Sequence, residues 1–184
     1  MSWAIWITGR PGSGKTTLAG RVAEALRAWP VSVAVLDLAW ARRIIVGHDR
    51  TAGPEEEIVH RAVACAASLL TQAGVAVVVD ATAPRRAWRD EARALIEHFA
   101  EVQLICPPEI CVEREREARW RPGGAAVLAA PDLALDYEES LHPELRLHTH
   151  VPGLLHAVEE VLRLARRLHR AAVASVTHTE RVTL

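Results

Sequence analysis

Gly9-Arg10-Pro11-Gly12-Ser13-Gly14-Lys15-Thr16 has the spacing G-x-x-x-x-G-K-[ST], and the reading of the whole chain turns on it. Upstream, Trp3-Ala4-Ile5-Trp6-Ile7-Thr8 is a short apolar run suited to a buried strand. Downstream of Thr17, Leu18, Val22, Ala25 and Leu26 recur at helical spacing. Strand, glycine loop and helix form the context in which this pattern binds phosphate rather than merely turning the chain. Glycines let successive backbone amides curl toward a polyphosphate, and the helix that follows offers its positive N-terminal end. Gly9, Arg10, Pro11, Gly12, Ser13, Gly14, Lys15, Thr16 and Thr17 are therefore the candidate nucleotide-binding residues. Lys15 is expected to reach the β- and γ-phosphates, and the Thr16 hydroxyl to be a ligand to Mg²⁺. Lys15 is also the only lysine in the chain. Arginine supplies every other permanent side-chain cation, so the compact, flexible ammonium stands only where a point charge on phosphate is wanted.

Composition narrows what surrounds this loop. A length of 184 residues, half of them hydrophobic, suits one domain with a sizeable core. Residues 1–174 are expected to form it, with 175–184 as a flexible C-terminal tail. A formal charge of −1 gives no basic field that would favour nucleic acid. No apolar run is long enough to span a bilayer, and no charged stretch precedes an apolar leader, so a cytoplasmic protein without a membrane partner is expected. Cys65, Cys106 and Cys111 are odd in number, lack zinc-site spacing and read as small buried hydrophobes.

Taken in order, the chain alternates strands and helices. The first helix ends near Trp29, where Pro30 stops it, and Val31 to Asp37 reads as a second buried strand. A short helix, Leu38 to Val46, carries Arg42 and Arg43. After the loop His48 to Pro54, acids at Glu55, Glu56 and Glu57 open a helix that runs to about Ala73, with Gly74 as its stop. Val75 to Asp80 is the most apolar strand, as a central parallel strand should be. An arginine-rich helix is expected from Arg85 to about Ala100, then a strand from Glu101 to Cys106 and a helix opened by Pro107-Pro108. Arg121 to Glu139 is punctuated by glycine and proline, a candidate for a moving lid, placed at about 114–142. Leu145 to Thr149 is a fifth strand, and a closing helix from Pro152 to about Ala174 presents Leu155, Val158, Val161, Leu162, Ala165 and Leu168 on one face. Alternation of this kind predicts a parallel sheet with helices on both faces.

In that order the chain resembles the adenylylsulfate (APS) kinase family of P-loop small-molecule kinases, over roughly Trp3 to His150. Asp37-Leu38-Ala39-Trp40-Ala41-Arg42 stands where the family has D-G-D-x-x-R. Val59-His60-Arg61 is similar to its n-I-R-R stretch, and Pro84-Arg85-Arg86-Ala87-Trp88-Arg89-Asp90 to its P-x-r-x-x-R-d segment. Pro107-Pro108-Glu109-Ile110-Cys111-Val112-Glu113-Arg114 is similar to P-x-E-x-C-x-x-R, and Tyr137-Glu138 with Pro143-Glu144-Leu145 and Thr149 to its Y-E and P-E-L-x-x-x-T. The resemblance implies an α/β, three-layer P-loop NTPase fold: a five-stranded parallel sheet flanked by helices, with a lid segment. It implies ATP and Mg²⁺ as cofactors and phosphoryl transfer to a small hydroxylated acceptor, with a homodimer left open. Several acceptor-side positions differ from the family pattern. The glycine and second aspartate of D-G-D are Leu38 and Ala39, an acceptor-site asparagine is Ile58, an arginine is Glu55, and the lid lysine is Glu117.

The candidate catalytic set is Lys15, Asp37, Arg42, Asp80 and Arg114. In parallel sheets ligands lie beyond the carboxyl ends of strands, where both aspartates fall. Asp80 closes the most hydrophobic strand and takes the metal role with Thr16, while Asp37 is the base or acceptor orienter. Either could instead be a helix N-cap. Arg42 matches the family's D-G-D-x-x-R arginine, and Arg114, with Arg119 or Arg121, would close over the transferring phosphoryl. Arg85, Arg86 and Arg89 bind an anionic acceptor or merely coat a surface helix. Trp40, Trp88 and Trp120 fall where a ring could be stacked, and Trp3, Trp6 and Trp29 read as core. Two other readings stand beside the kinase: a nucleotide-binding accessory module with reduced catalysis, and an NTPase switch acting with a protein partner.

Overall fold

Alternation along the first strand sorts the two halves of the core. The computed structural model describes residues 1–47, 55–119, 136–151 and 153–182. In β1 (Ala4–Gly9) every residue is buried; Ile5 and Ile7, with Trp3 before them, enter one apolar cluster, while Ala4 and Trp6 enter another. Burying a tryptophan removes about 150–250 Å² from water, worth about 4–6 kcal/mol at the usual area coefficient. The indole Nε1 groups of Trp3 and Trp6 lack hydrogen-bond partners. That costs roughly 1–3 kcal/mol each, so both rings still stabilise the fold.

The other elements are α1 (Lys15–Leu26), β2 (Val33–Asp37), α2 (Leu38–Ile45), α3 (Glu55–Gln72), β3 (Ala76–Asp80), α4 (Arg86–Leu95), β4 (Phe99–Ile105), α5 (Pro108–Arg119), β5 (Leu145–His148) and α6 (Leu154–Val182). The sheet has the order β2-β3-β1-β4-β5, and all four pairings are parallel. The cluster with Ile5, Ile7, Val78 and Val102 is closed by Leu18, Val22 and Leu26 of α1 and by Val161, Leu164 and Ala165 of α6. The cluster with Trp6, Val77 and Val79 is closed by Val59, Val63 and Ala67 of α3 and by Ala92 of α4. This is the expected three-layer, five-stranded parallel architecture. Among the described residues no helix is long and apolar enough to cross a membrane.

Several local expectations need correction. The arginine-rich helix does not reach Ala100: it ends at Leu95, and Ile96 leaves it in an extended conformation. Phe99 and Ala100 belong instead to β4, in register with Ala4 and Ile5 of β1, because pairing with the central strand outweighs continuation of the helix. β2 is only half-buried, since it is an edge strand, and Val35 is exposed. Cys65 is exposed rather than buried, on an outer face of α3 that is apolar but unpacked, while Cys106 and Cys111 are buried as expected. Leu155 is 81% exposed, and Leu164 takes its expected place in the core. Helix α6 continues beyond Ala174 to Val182.

Candidate functional site

The phosphate loop leaves β1 at Gly9 and enters α1 through Gly14, the N-cap, at φ 96°. Gly12 has φ 75°, and a Cβ built there would stand 2.3 Å from the carbonyl oxygen of Cys111. The loop is thus pressed against the first turn of α5, and a side chain is excluded by sterics as well as by backbone angle. Pro11 and Ser13 are buried and Arg10 is half-buried. The Ser13 hydroxyl is buried without a hydrogen-bond partner. Thr16 and Thr17 lie exposed at the head of α1.

Lys15 is 8% exposed, and its Nζ donates to the Arg10 carbonyl at 3.0 Å, arching back over the loop. Burial lowers its pKa, and the Asp80 carboxylate opposes that shift. Asp80 itself is pushed up by burial, with Lys15 and a hydrogen bond from Thr16 acting the other way. Lys15, Thr16 and Asp80 are thereby brought together, as the sequence predicts. Asp37 stands opposite Asp80 in the β2–β3 register, and its charge adds to the upward push on Asp80. Asp37 also caps α2: its Oδ1 accepts from the Trp40 amide at 3.0 Å. Of the two readings of this carboxylate, the cap is visible, and it fixes the side chain at the mouth of the site.

Arg42 and Arg114 are tied to protein groups. Arg42 Nε lies 2.8 Å from Glu56 Oε1, bridging α2 to the first turn of α3. One turn along α3, His60 is 2% exposed; its Nδ1 is 2.7 Å from the Glu56 carbonyl and its ring stacks on Trp88 with centroids 4.2 Å apart. Burial holds its pKa down at about 4. Arg85 also lies over the Trp88 ring, at 5.7 Å, so this indole already has two stacking partners from the protein. Trp40 is 57% exposed. Arg114 Nη2 donates to the Thr149 carbonyl at 2.8 Å and Nη1 contacts Cys106 Sγ at 3.7 Å, fastening α5 to the end of β5. Arg116 pairs with Glu113 on an exposed face. Arg121, Trp120 and most of the expected lid lie outside the described residues.

Arg89 reverses its expectation. It is neither a surface group nor an anion ligand but 1% exposed, with Nε 2.9 Å from Glu101 Oε1. Its fork donates to the carbonyls of Ala83 and Glu138, and it lies over the Tyr137 ring. The sequence alone assigns no role to Glu101 or Tyr137. The signal for Glu101 was present: the parity that sends Ala100, Val102 and Leu104 to the α1 side sends Glu101 and Gln103 to the other buried face. Two polar residues there require partners from elsewhere in the chain.

Residues 1–148 match the family model for adenylylsulphate kinase. A probable adenylyl-sulfate kinase of Archaeoglobus fulgidus is 33% identical over 150 residues, covering 81% of this chain and 97% of the relative. An adenylyl-sulfate kinase of a Synechococcus strain is 34% identical over 161 residues, covering 86% and 91%. The APS kinase of Mycobacterium tuberculosis, solved in complex with AMPPNP and APS, superposes with a TM-score of 0.71 at 26% identity, covering 90% of this chain and 98% of that one. Fold, phosphate loop and these similarities converge: the chain belongs to the adenylylsulphate kinase family.

Proposed function

We propose that this chain is an ATP-dependent phosphotransferase that moves the γ-phosphoryl of ATP to a hydroxyl of a small acceptor. The observation that carries the reading is the convergence of Lys15, Thr16 and Asp80 beside a glycine loop that has no room for a side chain at Gly9 or Gly12. The donor set fits Mg²⁺, which binds through one or two carboxylates, a hydroxyl and phosphate oxygens. Asp80 and Thr16 would hold it, and Asp37 faces the same strand ends. The buried, unpartnered Ser13 hydroxyl fits a loop whose remaining hydrogen-bond partner is a phosphate oxygen. Mg²⁺ bound to ATP would neutralise charge that develops on the transferred group. Lys15 binds the β- and γ-oxygens, the loop amides orient them, and the Asp37 carboxylate accepts or directs the acceptor proton.

The acceptor side supports a finer reading. Ala39 is exposed and Ile58 is 59% exposed, so these side chains offer no hydrogen bonds where the family pattern has an aspartate and an asparagine. Sites that lose such partners discriminate by factors on the order of 10⁴. The chain is therefore a poor kinase of adenylylsulfate and serves a different hydroxylated acceptor. The test is transfer of labelled γ-phosphate from ATP to a panel of hydroxylated small molecules that includes adenylylsulfate. Transfer to another acceptor with weak use of adenylylsulfate is expected. Adenylylsulfate used with kcat/KM of about 10⁴ M⁻¹s⁻¹ or above would overturn the finer reading.

A further inference from the structure

Just past Asp80 the chain makes an unusual turn. Ala83 has φ 40°, the only positive φ at a non-glycine among the described residues. Such a conformation persists only when its surroundings over-determine it. Here the surroundings are one arginine and the segment around Tyr137 and Glu138. Arg89 donates to the Ala83 carbonyl from one nitrogen and to the Glu138 carbonyl at 2.6 Å from another. Its Nε pairs with Glu101 at 2.9 Å, and Glu101 also accepts from the Ser140 hydroxyl. The two backbone stretches are joined directly as well, by Glu138 N to Pro84 O at 2.9 Å and by Arg86 N to Glu138 Oε2 at 2.8 Å.

The cluster reaches the nucleotide site along a second line. Tyr137, under the Arg89 guanidinium at 5.1 Å, brings its hydroxyl to 3.1 Å from Thr8 Oγ1. Thr8 Oγ1 in turn donates to the Thr82 carbonyl at 2.6 Å. Thr8 immediately precedes the glycine loop, and Thr82 follows Asp80 by two residues. β1 is held by strands on both sides, so the loop has its own support. The last sheet bond past Asp80 is Ala81 N to Ile7 O at 3.1 Å, and residues 82–84 beyond it are bonded to this cluster, through the Thr82, Ala83 and Pro84 carbonyls.

We propose that Arg89 is a positioning residue for the metal-bearing side of the nucleotide site: it locks the exit of β3, and so the Asp80 carboxylate, to the segment at Tyr137 and Glu138. The proposal rests on the phosphotransferase reading. Acceptors engaged separately by Nε, Nη1 and Nη2 suit the spread of a guanidinium fork, which the compact ammonium of lysine does not reproduce. Because the target is Asp80 rather than Lys15, Arg89 governs the gain in nucleotide affinity that Mg²⁺ brings, not the metal-free affinity.

The experiment measures AMPPNP affinity with and without Mg²⁺ in wild type, Arg89→Lys and Tyr137→Phe, with a thermal melt of each. In Arg89→Lys the Mg²⁺-dependent gain falls on the order of tenfold, the scale of outer-shell losses at metal sites, while metal-free affinity is kept. Tyr137→Phe moves the gain in the same direction by a smaller factor. A lower melting temperature with the wild-type Mg²⁺ gain would make Arg89 merely structural and overturn the proposal. If Arg89→Lys does not fold, Tyr137→Phe decides, and an unchanged gain there overturns the proposal equally. A wild-type protein whose nucleotide affinity ignores Mg²⁺ would refute the phosphotransferase reading itself, a separate outcome.

Discussion

Gly12 and Gly14 permit a paired test of how the phosphate loop is held. Both have positive φ, 75° and 96°, so an alanine at either carries the left-handed penalty of about 1–2 kcal/mol. Their surroundings differ. Nothing lies within 4 Å of a Cβ at Gly14, whereas at Gly12 the Cβ would stand 2.3 Å from the Cys111 carbonyl oxygen and 2.9 Å from its carbon. Both are backbone atoms of α5, so no side chain can swing away. Gly14→Ala is therefore expected to cost only the backbone term. Gly12→Ala adds an overpacking cost of roughly 1–3 kcal/mol, or separates the loop from α5 to avoid it. Urea unfolding without nucleotide measures the stability difference, and AMPPNP titration shows whether the loop keeps its shape. Gly12→Ala should be the less stable of the two and should bind nucleotide more weakly. Equal stability and equal affinity would refute the close packing of loop on helix.

Two further outcomes follow from buried charge. His60 titrates near 6.5 in an unfolded chain but is held at about 4 in the fold by burial. The unfolded state binds more protons between these values, so stability is full above about pH 6.5 and falls by about 3 kcal/mol as pH drops toward 4. Replacing His60 by phenylalanine, which keeps a ring against Trp88, should flatten that part of a stability-against-pH curve; an unchanged slope would refute it. Asp37→Asn preserves the α2 cap, since asparagine caps as well as aspartate, and so removes only the charge. It should leave nucleotide affinity intact and slow transfer by about 10²–10⁴-fold, whereas Asp80→Asn should weaken the response to Mg²⁺; single-turnover transfer and binding measured on both variants check the separation.

How much of this was legible follows from the range of the interactions. The phosphate loop, the parallel sheet and the position of Asp37 and Asp80 at strand carboxyl ends are legible because periodicity and strand ends are local properties; that the two strands are neighbours is not, since pairing is set between distant segments. The end of α4 was not, because Phe99 and Ala100 are drawn into β4 by a partner almost a hundred residues away. Arg89 looked like one arginine among several on a polar helix. Its burial is fixed by Glu101, Tyr137 and Glu138, which no pattern along α4 reveals. The stacking of Trp88 on His60 depends on how α3 and α4 face one another, which no pattern along either helix reveals. Cys65 was misplaced because α3 is apolar on more than one face, and hydrophobicity alone does not say which face is packed.

The measurement that bears most directly on the account is the affinity of AMPPNP in the presence of Mg²⁺ for wild type and Lys15→Ala, with folding checked by melting. Lys15 is the only ammonium side chain of the protein, is buried, and has no rival to replace it at the loop. Charge-assisted hydrogen bonds contribute about 1.5–3 kcal/mol, so affinity should fall about 10- to 150-fold while the variant stays folded. Equal affinity in the two folded proteins would contradict the claim that this loop holds the phosphates of ATP.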